Sequence, residues 1–264
     1  MKDIKEYVAE QKNIIKSEMQ VAPTFCIFQV GNNEASNRYV RNKIKDCESV
    51  GIKATLNKVD EDIDFNSLAE MIKQANNEFD AIMLQLPLPD HLKSYESDLT
   101  ELINPEKDVD GLTKNSKFKP CTPKGIMDYL DANNYDFDGK NAVVIGRSNI
   151  VGKPIARMLL DRNCSVTVIH SKTKPAFKRS VLNEADLVIC AAGKHGVIHP
   201  AMAPHAFIVD VGINFNEEGK LVGDVEIIQD KERARVTPVP GGVGLLTRLA
   251  LLKNVVACKE LKSI

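Results

Sequence analysis

The chain of 264 residues has no tryptophan, and aromatic residues make up only 5% of it. Its core must therefore consist of aliphatic side chains, and a hydrophobic share of 43% is enough to build one. An excess of either charge is also missing, because 35 Lys and Arg face 36 Asp and Glu. Without a net electrostatic attraction to polyanions, we expect a folded protein with neither nucleic acid nor a membrane among its partners.

The six cysteines lack the spacing of a metal site or a disulfide framework. They form no C-x-x-C pair and no Cys/His cluster. We therefore expect buried free thiols and no metal. Long apolar runs are absent as well, and the charged first 18 residues resemble neither a secretory signal nor a transit peptide. The expected location is the cytoplasm.

Short apolar runs alternate with segments of helical spacing in two successive parts of the chain. In the first part, after an opening helix over 2–20, we predict strands at 24–30, 52–59 and 81–86 and helices at 33–50 and 65–78. In the second part we predict strands at 141–146, 165–170, 185–193 and 206–212, a helix at 152–162 and a last helix from about 242 to 260. This alternation is typical of α/β proteins with mostly parallel, helix-covered sheets.

The segment 87–123 interrupts the alternation. It carries five prolines and reads as loops, and ordered loops of that length are often functional. A helix over 123–133 should follow, with Thr122 as its N-cap and Pro123 in its first turn.

A glycine-rich turn, Gly146-Arg147-Ser148-Asn149-Ile150-Val151-Gly152, joins a predicted strand to a predicted helix. A helix N-terminus after such a turn favours a phosphate group. Ser148 replaces the middle glycine of the usual G-x-G-x-x-G pattern, and plain α/β packing also uses glycine turns of this kind.

The next predicted strand ends in His170-Ser171-Lys172-Thr173, where an NAD site would place an acidic residue. Together with Arg147, these hydroxyls and cations are suited to the extra phosphate of NADP. A solvated polar strand end is the alternative.

Tyr39 and Lys43 lie one helical turn apart on the predicted helix 33–50 and so share a face. A partly buried phenol beside an amine can lower the pKa of the amine and make it a base near neutral pH. The alternative is an aromatic ring that covers a lysine stem. Gln85 closes an apolar run and is either a hydrogen-bond partner at the end of a strand or a simple strand cap.

Two further segments carry groups that suit a ring-shaped substrate. If their segment is extended, Asp108 and Asp110 point to the same side, and one of them can anchor a polar ring. The alternative is a plain Asp-Gly turn. The loop Thr237-Pro238-Val239-Pro240-Gly241-Gly242-Val243-Gly244 lets a flat ring approach the backbone, unless it is only a rigid linker.

Taken in order, these segments resemble the methylene-tetrahydrofolate dehydrogenase/cyclohydrolase family over nearly the whole chain. The matching segments are VGNNEASNRYVRNKIK, MLQLPLP, PEKDVDGL, PCTPKGI, VVIGRSNIVGKP, HSKT, VDVGIN, GDV and TPVPGGVG. The chain departs from the family after PGGVG, where Leu245-Leu246 replaces Pro-Met.

The resemblance implies two α/β domains that flank a cleft. A folate-binding catalytic domain would span 1–120, completed by a helix at 245–264, and a Rossmann-like NADP-binding domain would span 121–244. Members are typically homodimers that act on tetrahydrofolate derivatives.

The resemblance also implies roles for individual residues. Lys43 would be the central catalytic amine, with Tyr39 positioning the folate and Gln85 bonded to the amine. The implied substrate-binding residues are Asp110, Pro240, Gly241, Gly242 and Val243, and the implied NADP-binding residues are Gly146, Arg147, Ser148, Ser171 and Ile213.

The implied activity is twofold. Methylene-tetrahydrofolate would be oxidised with NADP to the methenyl form, which would then be hydrolysed to formyl-tetrahydrofolate. A dehydrogenase without cyclohydrolase activity and a nucleotide-sensing binding module on the same fold are the alternatives. The joint presence of Tyr39, Lys43, Gln85 and Asp110 disfavours both.

Overall fold

The structure, a computed structural model, describes residues 1–260, apart from the side chains of residues 35, 230, 231 and 260. It contains two compact units. We call residues 9–121 with 248–260 the N-terminal unit, and residues 1–8 with 122–247 the C-terminal unit. Each unit has its own parallel sheet, which confirms the predicted α/β class.

The first part of the chain forms a three-stranded sheet in the order β2-β1-β3, with every pair parallel. Its elements are α1 (Ile4–Glu18), β1 (Thr24–Val30), α2 (Glu34–Val50), β2 (Lys53–Val59), α3 (Phe65–Glu78), β3 (Ala81–Leu84) and α4 (Glu96–Thr100). Because β1 lies in the middle, the chain reverses its direction of winding between β1 and β3. Open α/β sheets bind ligands beyond the carboxyl ends of the strands at such a point.

Local sequence signals fix the helices that cover this sheet. The side chain of Asn33 accepts a hydrogen bond from the Ser36 N–H at the start of α2, and Gly51 ends the helix with φ of 93°. Asp64 caps α3 in the same way. The apolar face of α3, including Leu68 and Ile72, packs with the buried strands in one core cluster.

The second part of the chain forms a four-stranded parallel sheet in the order β5-β4-β6-β7, again with a reversal of winding, here between β4 and β6. Its elements are α5 (Cys121–Ala132), β4 (Asn141–Ile145), α6 (Gly152–Leu160), β5 (Ser165–Ile169), α7 (Pro175–Asn183), β6 (Leu187–Cys190) and β7 (Phe207–Asp210), followed by the short antiparallel pair β8 (Asn214–Phe215) and β9 (Leu221–Val222) and by α8 (Val243–Glu260).

Three details of the sequence prediction are wrong. The helix after the proline-rich segment begins at Cys121, so Thr122 lies inside its first turn and is not the N-cap. The segment 87–123 is not all loop, because a 3₁₀ turn at Lys93–Tyr95 leads into α4. The predicted strand 81–86 ends at Leu84, and the chain bends at Leu86 and Pro87.

The last helix, α8, packs its C-terminal part within the N-terminal unit, as predicted. The side chain of Asn254 donates a hydrogen bond to the carbonyl oxygen of Val109 at 2.9 Å, and the Cys258 thiol donates to that of Asp80 at 3.0 Å. Residues 261–264 of the predicted helix lie outside the described residues. The predicted functional domains, 1–120 with 245–264 and 121–244, stay predictions.

All six cysteines are free and buried, as predicted. Burial raises the pKa of both Cys26 and Cys47 to about 12. In residues 1–260, no helix combines the length and the apolar character that a bilayer crossing needs.

Candidate active site

Lys43 is a buried lysine on α2 whose amine faces the end of strand β3. Its exposed fraction is 8%. The Nζ atom donates a hydrogen bond to Gln85 Oε1 at 3.0 Å and lies 3.4 Å from Met83 Sδ. Lysine is seldom buried to this degree without a partner, so the structure brings together two of the side chains singled out in the sequence.

Gln85 is held by its backbone and by its own amide group. Its N–H donates to the carbonyl oxygen of Phe28 at 2.8 Å, which extends the β1–β3 ladder by one residue. Its side-chain Nε2 donates to the carbonyl oxygen of Leu86. With Nε2 engaged, the amide presents its oxygen to Lys43, so Gln85 acts as an acceptor for the amine and not only as a strand cap.

The two candidate aspartates have different surroundings. Asp108 is 1% exposed, and its carboxylate accepts hydrogen bonds from the N–H groups of Gly111 at 3.1 Å and Thr113 at 2.7 Å. Asp108 therefore holds the turn. Asp110 is half-buried, and its carboxylate lies close to Lys43 and Cys121. Of the two, Asp110 is the one placed to act with the amine.

This segment reaches the site because it runs beside β3. The N–H of Ile82 donates to the carbonyl oxygen of Lys107 at 2.8 Å, and Ile82 and Asp108 form a parallel bridge. Gly111 then turns the chain with φ of 75°, and a Cβ there would lie 2.6 Å from the Lys119 backbone. Only glycine allows that close approach without displacing the chain.

Burial dominates the electrostatics of the Lys43 amine. It lowers the pKa of Lys43 because the charged form loses its hydration, while the Asp110 carboxylate acts in the opposite direction and Arg248 in the same one. Burial likewise raises the pKa of Asp110, against the effect of Lys43. The result is an amine that releases its proton at a lower pH than an exposed lysine does.

Tyr39 lies one turn before Lys43 on α2 and is half-buried. Burial raises the pKa of its phenol, which the cations Arg248 and Arg38 partly offset. We expected the phenol to lower the pKa of Lys43. In the structure, burial and the charge of Arg248 lower the pKa of Lys43, and Tyr39 is not among the causes.

Sequence reasoning missed a charge network beside the amine. Asp46, one turn after Lys43, is 8% exposed and pairs with Arg248 of α8 at 3.0 Å and with Lys12 of α1 at 2.5 Å. Asp46 and Arg248 are about 200 residues apart in the sequence, so no local sequence pattern could have revealed their ion pair. The network places the guanidinium of Arg248 close to both Tyr39 and Lys43.

In the C-terminal unit, the glycine turn after β4 is packed against the segment that directly follows the neighbouring strand β6. Gly146 has φ of 116°, and a Cβ there would lie 2.1 Å from the carbonyl oxygen of Ala191. A Cβ on Gly152 would lie 2.4 Å from the carbonyl oxygen of Gly146. Both glycines are therefore needed for the strand, the turn and helix α6 to pack this closely.

Arg147 and Ser148 sit in this turn with exposed side chains. The hydroxyl of Ser148 accepts hydrogen bonds from the N–H groups of Val151 at 3.2 Å and Gly152 at 3.3 Å. Ser148 thus satisfies donors at the start of α6, a contribution that the sequence analysis did not anticipate. Its contact with a nucleotide stays a prediction.

The other predicted nucleotide contacts lie at the same edge of the sheet. Ser171 follows β5, Ile213 follows β7, and both side chains are exposed. Because all four strands are parallel, these residues and the Gly146–Gly152 turn share the carboxyl edge. The Thr173 hydroxyl accepts from the His170 N–H at 2.9 Å and shapes the turn that carries Ser171.

The proline-glycine loop is tied to β7. The N–H of Thr237 donates to the carbonyl oxygen of Ile208 at 2.9 Å, and its hydroxyl accepts from the Asp210 N–H at 2.8 Å. A Cβ on Gly242 would lie 2.2 Å from the carbonyl oxygen of Pro238, so the loop is tightly closed. It therefore brings Pro240, Gly241, Gly242 and Val243 to the start of α8.

Leu245-Leu246, which replaces the Pro-Met of the family pattern after this loop, changes the start of α8. The N–H of Leu245 donates to the carbonyl oxygen of Gly242 at 2.9 Å, a bond that proline would not make. Leu246 is 1% exposed and fills the core.

The described residues hold no group of three or more His, Cys, Asp or Glu side chains arranged for a metal ion. What they offer instead is a buried amine with an amide and a carboxylate in one unit, and a glycine-lined strand-to-helix turn in the other. Gly146 and Gly152 let strand β4, the turn and helix α6 pack closely, and the N-terminus of α6 that follows the turn is suited to a phosphate group.

Comparison with known proteins agrees with both halves. Residues 1–110 match the model of the tetrahydrofolate dehydrogenase/cyclohydrolase catalytic domain, and residues 120–263 match that of its NAD(P)-binding domain. A protein of Polaromonas naphthalenivorans named bifunctional protein FolD is 41% identical over 98% of this chain and 95% of its own.

Solved structures show the same relationship. The bifunctional FolD enzyme of Campylobacter jejuni is 38% identical, covers 98% of both chains and has a TM-score of 0.91. The Trypanosoma brucei dehydrogenase-cyclohydrolase, solved with NADP cofactor and an inhibitor, is 28% identical, covers 100% of this chain and 98% of its own and has a TM-score of 0.89. The chain belongs to the tetrahydrofolate dehydrogenase/cyclohydrolase family.

Proposed function

We propose that this protein oxidises 5,10-methylene-tetrahydrofolate with NADP and hydrolyses the methenyl product to 10-formyl-tetrahydrofolate. The observation that carries the proposal is the buried Lys43 amine, 3.0 Å from the amide oxygen of Gln85 and close to the Asp110 carboxylate. Family membership supports both reactions, since relatives are named as bifunctional proteins.

In the first reaction the task of the protein is to bind and orient. NADP supplies the hydride acceptor when it is bound. The turn from Gly146 to Gly152 would hold its phosphates, and Arg147 with Ser171 would bind the phosphate on its ribose. Ile213 would pack near the nicotinamide. Holding two reactants in register removes much of the entropic barrier to hydride transfer.

In the second reaction Lys43 acts on water. Water adds to the methenyl carbon, and a proton must leave the attacking oxygen as the new C–O bond forms. The bond from that carbon to N5 then breaks, N5 takes up a proton, and the ring opens to the 10-formyl product. A neutral amine accepts that proton, and the lowered pKa of Lys43 increases the fraction of amine in the neutral form. Gln85 keeps the amine in place through its hydrogen bond.

The folate is held by groups that do not react. Asp110 would bind the pterin ring through charge-assisted hydrogen bonds, and Tyr39 would stack on or position it. The loop from Pro240 to Val243 would let the flat ring lie close to the backbone. We also propose a homodimer in the cytoplasm, which the mass of the native protein in solution and the fractionation of cells would test.

The first experiment is an assay with methylene-tetrahydrofolate and either NADP or NAD, in which reduced nicotinamide and methenyl absorbance are followed together. Reduced nicotinamide without methenyl accumulation would support both activities. Accumulating methenyl product would contradict the role of Lys43. Absence of signal with both cofactors would favour the nucleotide-binding module instead.

Arg147→Ser tests the choice of NADP over NAD. Loss of the guanidinium should raise KM for NADP by about 10- to 100-fold and leave KM for NAD nearly unchanged, since a hydrogen bond to a charged group contributes roughly 1.5–3 kcal/mol. Initial rates with each cofactor give both values. Arg157→Ser, which removes an exposed arginine of α6, is the matched control and should change neither KM. Equal losses with both cofactors would contradict the assignment.

Arg248→Met tests the electrostatics at the amine through the pH dependence of the cyclohydrolase. A neutral-amine base gives a kcat/KM that rises with pH to a plateau as Lys43 loses its proton. Because Arg248 lowers the pKa of Lys43, its removal should move the midpoint of that rise to higher pH.

Arg162→Met is the matched control for this pH profile. Arg162 also pairs with an aspartate, Asp131, at 2.6 Å, but it lies in the C-terminal unit. Its loss should leave the midpoint where it is. A midpoint that fails to move in Arg248→Met, or that moves equally in the control, would show that Lys43 does not produce the rise.

A further inference from the structure

Asp224 is a fully buried aspartate that binds the loop after β6. Its exposed fraction is 0%. Its Oδ2 atom accepts hydrogen bonds from two successive backbone N–H groups, those of Ala192 at 2.7 Å and Gly193 at 2.9 Å. A buried carboxylate with two backbone donors on one oxygen fixes the direction of the loop that carries them.

The other oxygen of Asp224 binds a different segment. Oδ1 accepts a hydrogen bond at 2.9 Å from the side-chain Nδ2 of Asn214, the residue that follows the predicted nucleotide contact Ile213. The backbone of Asp224 adds another tie, because its carbonyl oxygen accepts from the Val197 N–H at 3.0 Å. One residue therefore connects the loops that follow β6 and β7.

Both loops lie where a nucleotide would bind. The sheet reverses its winding between β4 and β6, and a Cβ on Gly146 would meet the carbonyl oxygen of Ala191 at 2.1 Å. The Ala192–Gly193 segment that Asp224 holds is thus next to the glycine turn. The same carboxylate fixes the position of Asn214, and with it the backbone that carries Ile213.

The loop needs such a tie because its own sequence is permissive. Gly193 and Gly196 have φ of 65° and 72°, and glycine loses more conformational freedom on ordering than any other residue. A loop that is already ordered before the ligand arrives costs less binding free energy.

We propose that Asp224 is a positioning residue that pre-orders the nucleotide site by fixing the loop after β6 and the Ile213–Asn214 segment against the glycine turn. This inference rests on the proposed function, because it assigns Asp224 a part in binding NADP. It predicts a defect confined to the nucleotide half of the activity, whereas a general loss of stability would affect both reactions.

Asp224→Asn is the direct test. The amide keeps one acceptor oxygen but turns an NH₂ group toward the donors on its other side. Either the loop or Asn214 therefore loses its hydrogen bond to this side chain. We expect Kd for NADPH and KM for NADP to rise about 10-fold or more. NADPH fluorescence and initial rates measure the two values. The nucleotide-independent hydrolysis of methenyl-tetrahydrofolate should stay within about twofold of the unmutated protein.

Gly193→Ala gives a second test if Asp224→Asn does not fold. A Cβ at Gly193 meets no atom within 4 Å, so the change acts through the backbone at φ of 65° and displaces the N–H that Asp224 binds. Its matched control is Gly219→Ala, which has φ of 73° and equally open surroundings in the turn between β8 and β9. We expect Gly193→Ala to weaken NADPH binding and Gly219→Ala to leave it unchanged.

The outcomes separate the inference from the proposed function. Failure of the unmutated protein to bind NADPH would overturn both. Normal binding by a folded Asp224→Asn variant would overturn the inference alone, as would equal loss of both activities in it. If that variant does not fold, equal effects of the two glycine substitutions would overturn the inference.

Discussion

Replacing Lys43 by Met should lower the cyclohydrolase rate by about 100-fold or more, because a positioned proton acceptor contributes roughly 10²–10⁴ to a rate. Methionine is unbranched, only one heavy atom shorter than lysine, and apolar, so it suits the buried site. Stability should not fall. Because burial lowers the pKa of Lys43 in the folded state, the lysine costs stability at pH values below its ordinary pKa. Hydrolysis of methenyl-tetrahydrofolate and a denaturant titration measure the two effects.

Lys107→Met is the matched control for this experiment. Lys107 is a second buried lysine of the N-terminal unit, with 9% exposure, and its Nζ donates to the carbonyl oxygens of Phe79, at 2.8 Å, and Asn76. Its loss leaves two part-buried carbonyl groups without that donor, at a cost of about 1–3 kcal/mol, but should preserve the specific activity of the folded protein. A Lys43→Met variant with full cyclohydrolase activity would exclude the amine as the base.

Gly146→Ala should abolish NADPH binding and destabilise the C-terminal unit by on the order of 3 kcal/mol. Two costs combine at this position. The added Cβ would lie 2.1 Å from a backbone oxygen of the adjoining loop, so the turn or the loop must move, and φ of 116° strains any side chain. NADPH fluorescence titration and a denaturant titration followed by circular dichroism measure the losses.

Gly139→Ala separates the two costs. It has φ of 69° in the same unit, and no atom lies within 4 Å of its Cβ position. It should therefore cost only the backbone strain, about 1 kcal/mol, and leave nucleotide binding intact. If Gly146→Ala binds NADPH as well as Gly139→Ala does, the turn after β4 does not form the phosphate site.

Periodicity predicted most of the fold because the elements near the site have strong local signals. The strand predicted at 24–30 and the helix predicted at 65–78 have those bounds in the structure. In β1 a short apolar run is almost wholly buried, and in α3 a capping aspartate precedes a clear apolar face. Helix α7 escaped prediction because Leu182 is its one buried residue among those described, so its sequence shows no apolar stripe.

The candidate site was predictable where a side chain follows a strand and hidden where the contact is between distant segments. Gln85 was identified because it ends an apolar run. The alternation by itself could not separate Asp108 from Asp110, and the hydrogen bonds of Asp108 distinguish the two in the structure. Arg248 and Asp224 carry no local signal of their roles, because each acts on residues that are remote along the chain.

The burial of all six thiols makes the redox chemistry of this protein depend on its folding. With the pKa of Cys26 and Cys47 raised to about 12, almost none of either sulfur is in the thiolate form at neutral pH. Peroxides and electrophiles react with the thiolate, so both sulfurs are inert while the chain is folded. Oxidation of these two cysteines therefore requires that the chain opens first.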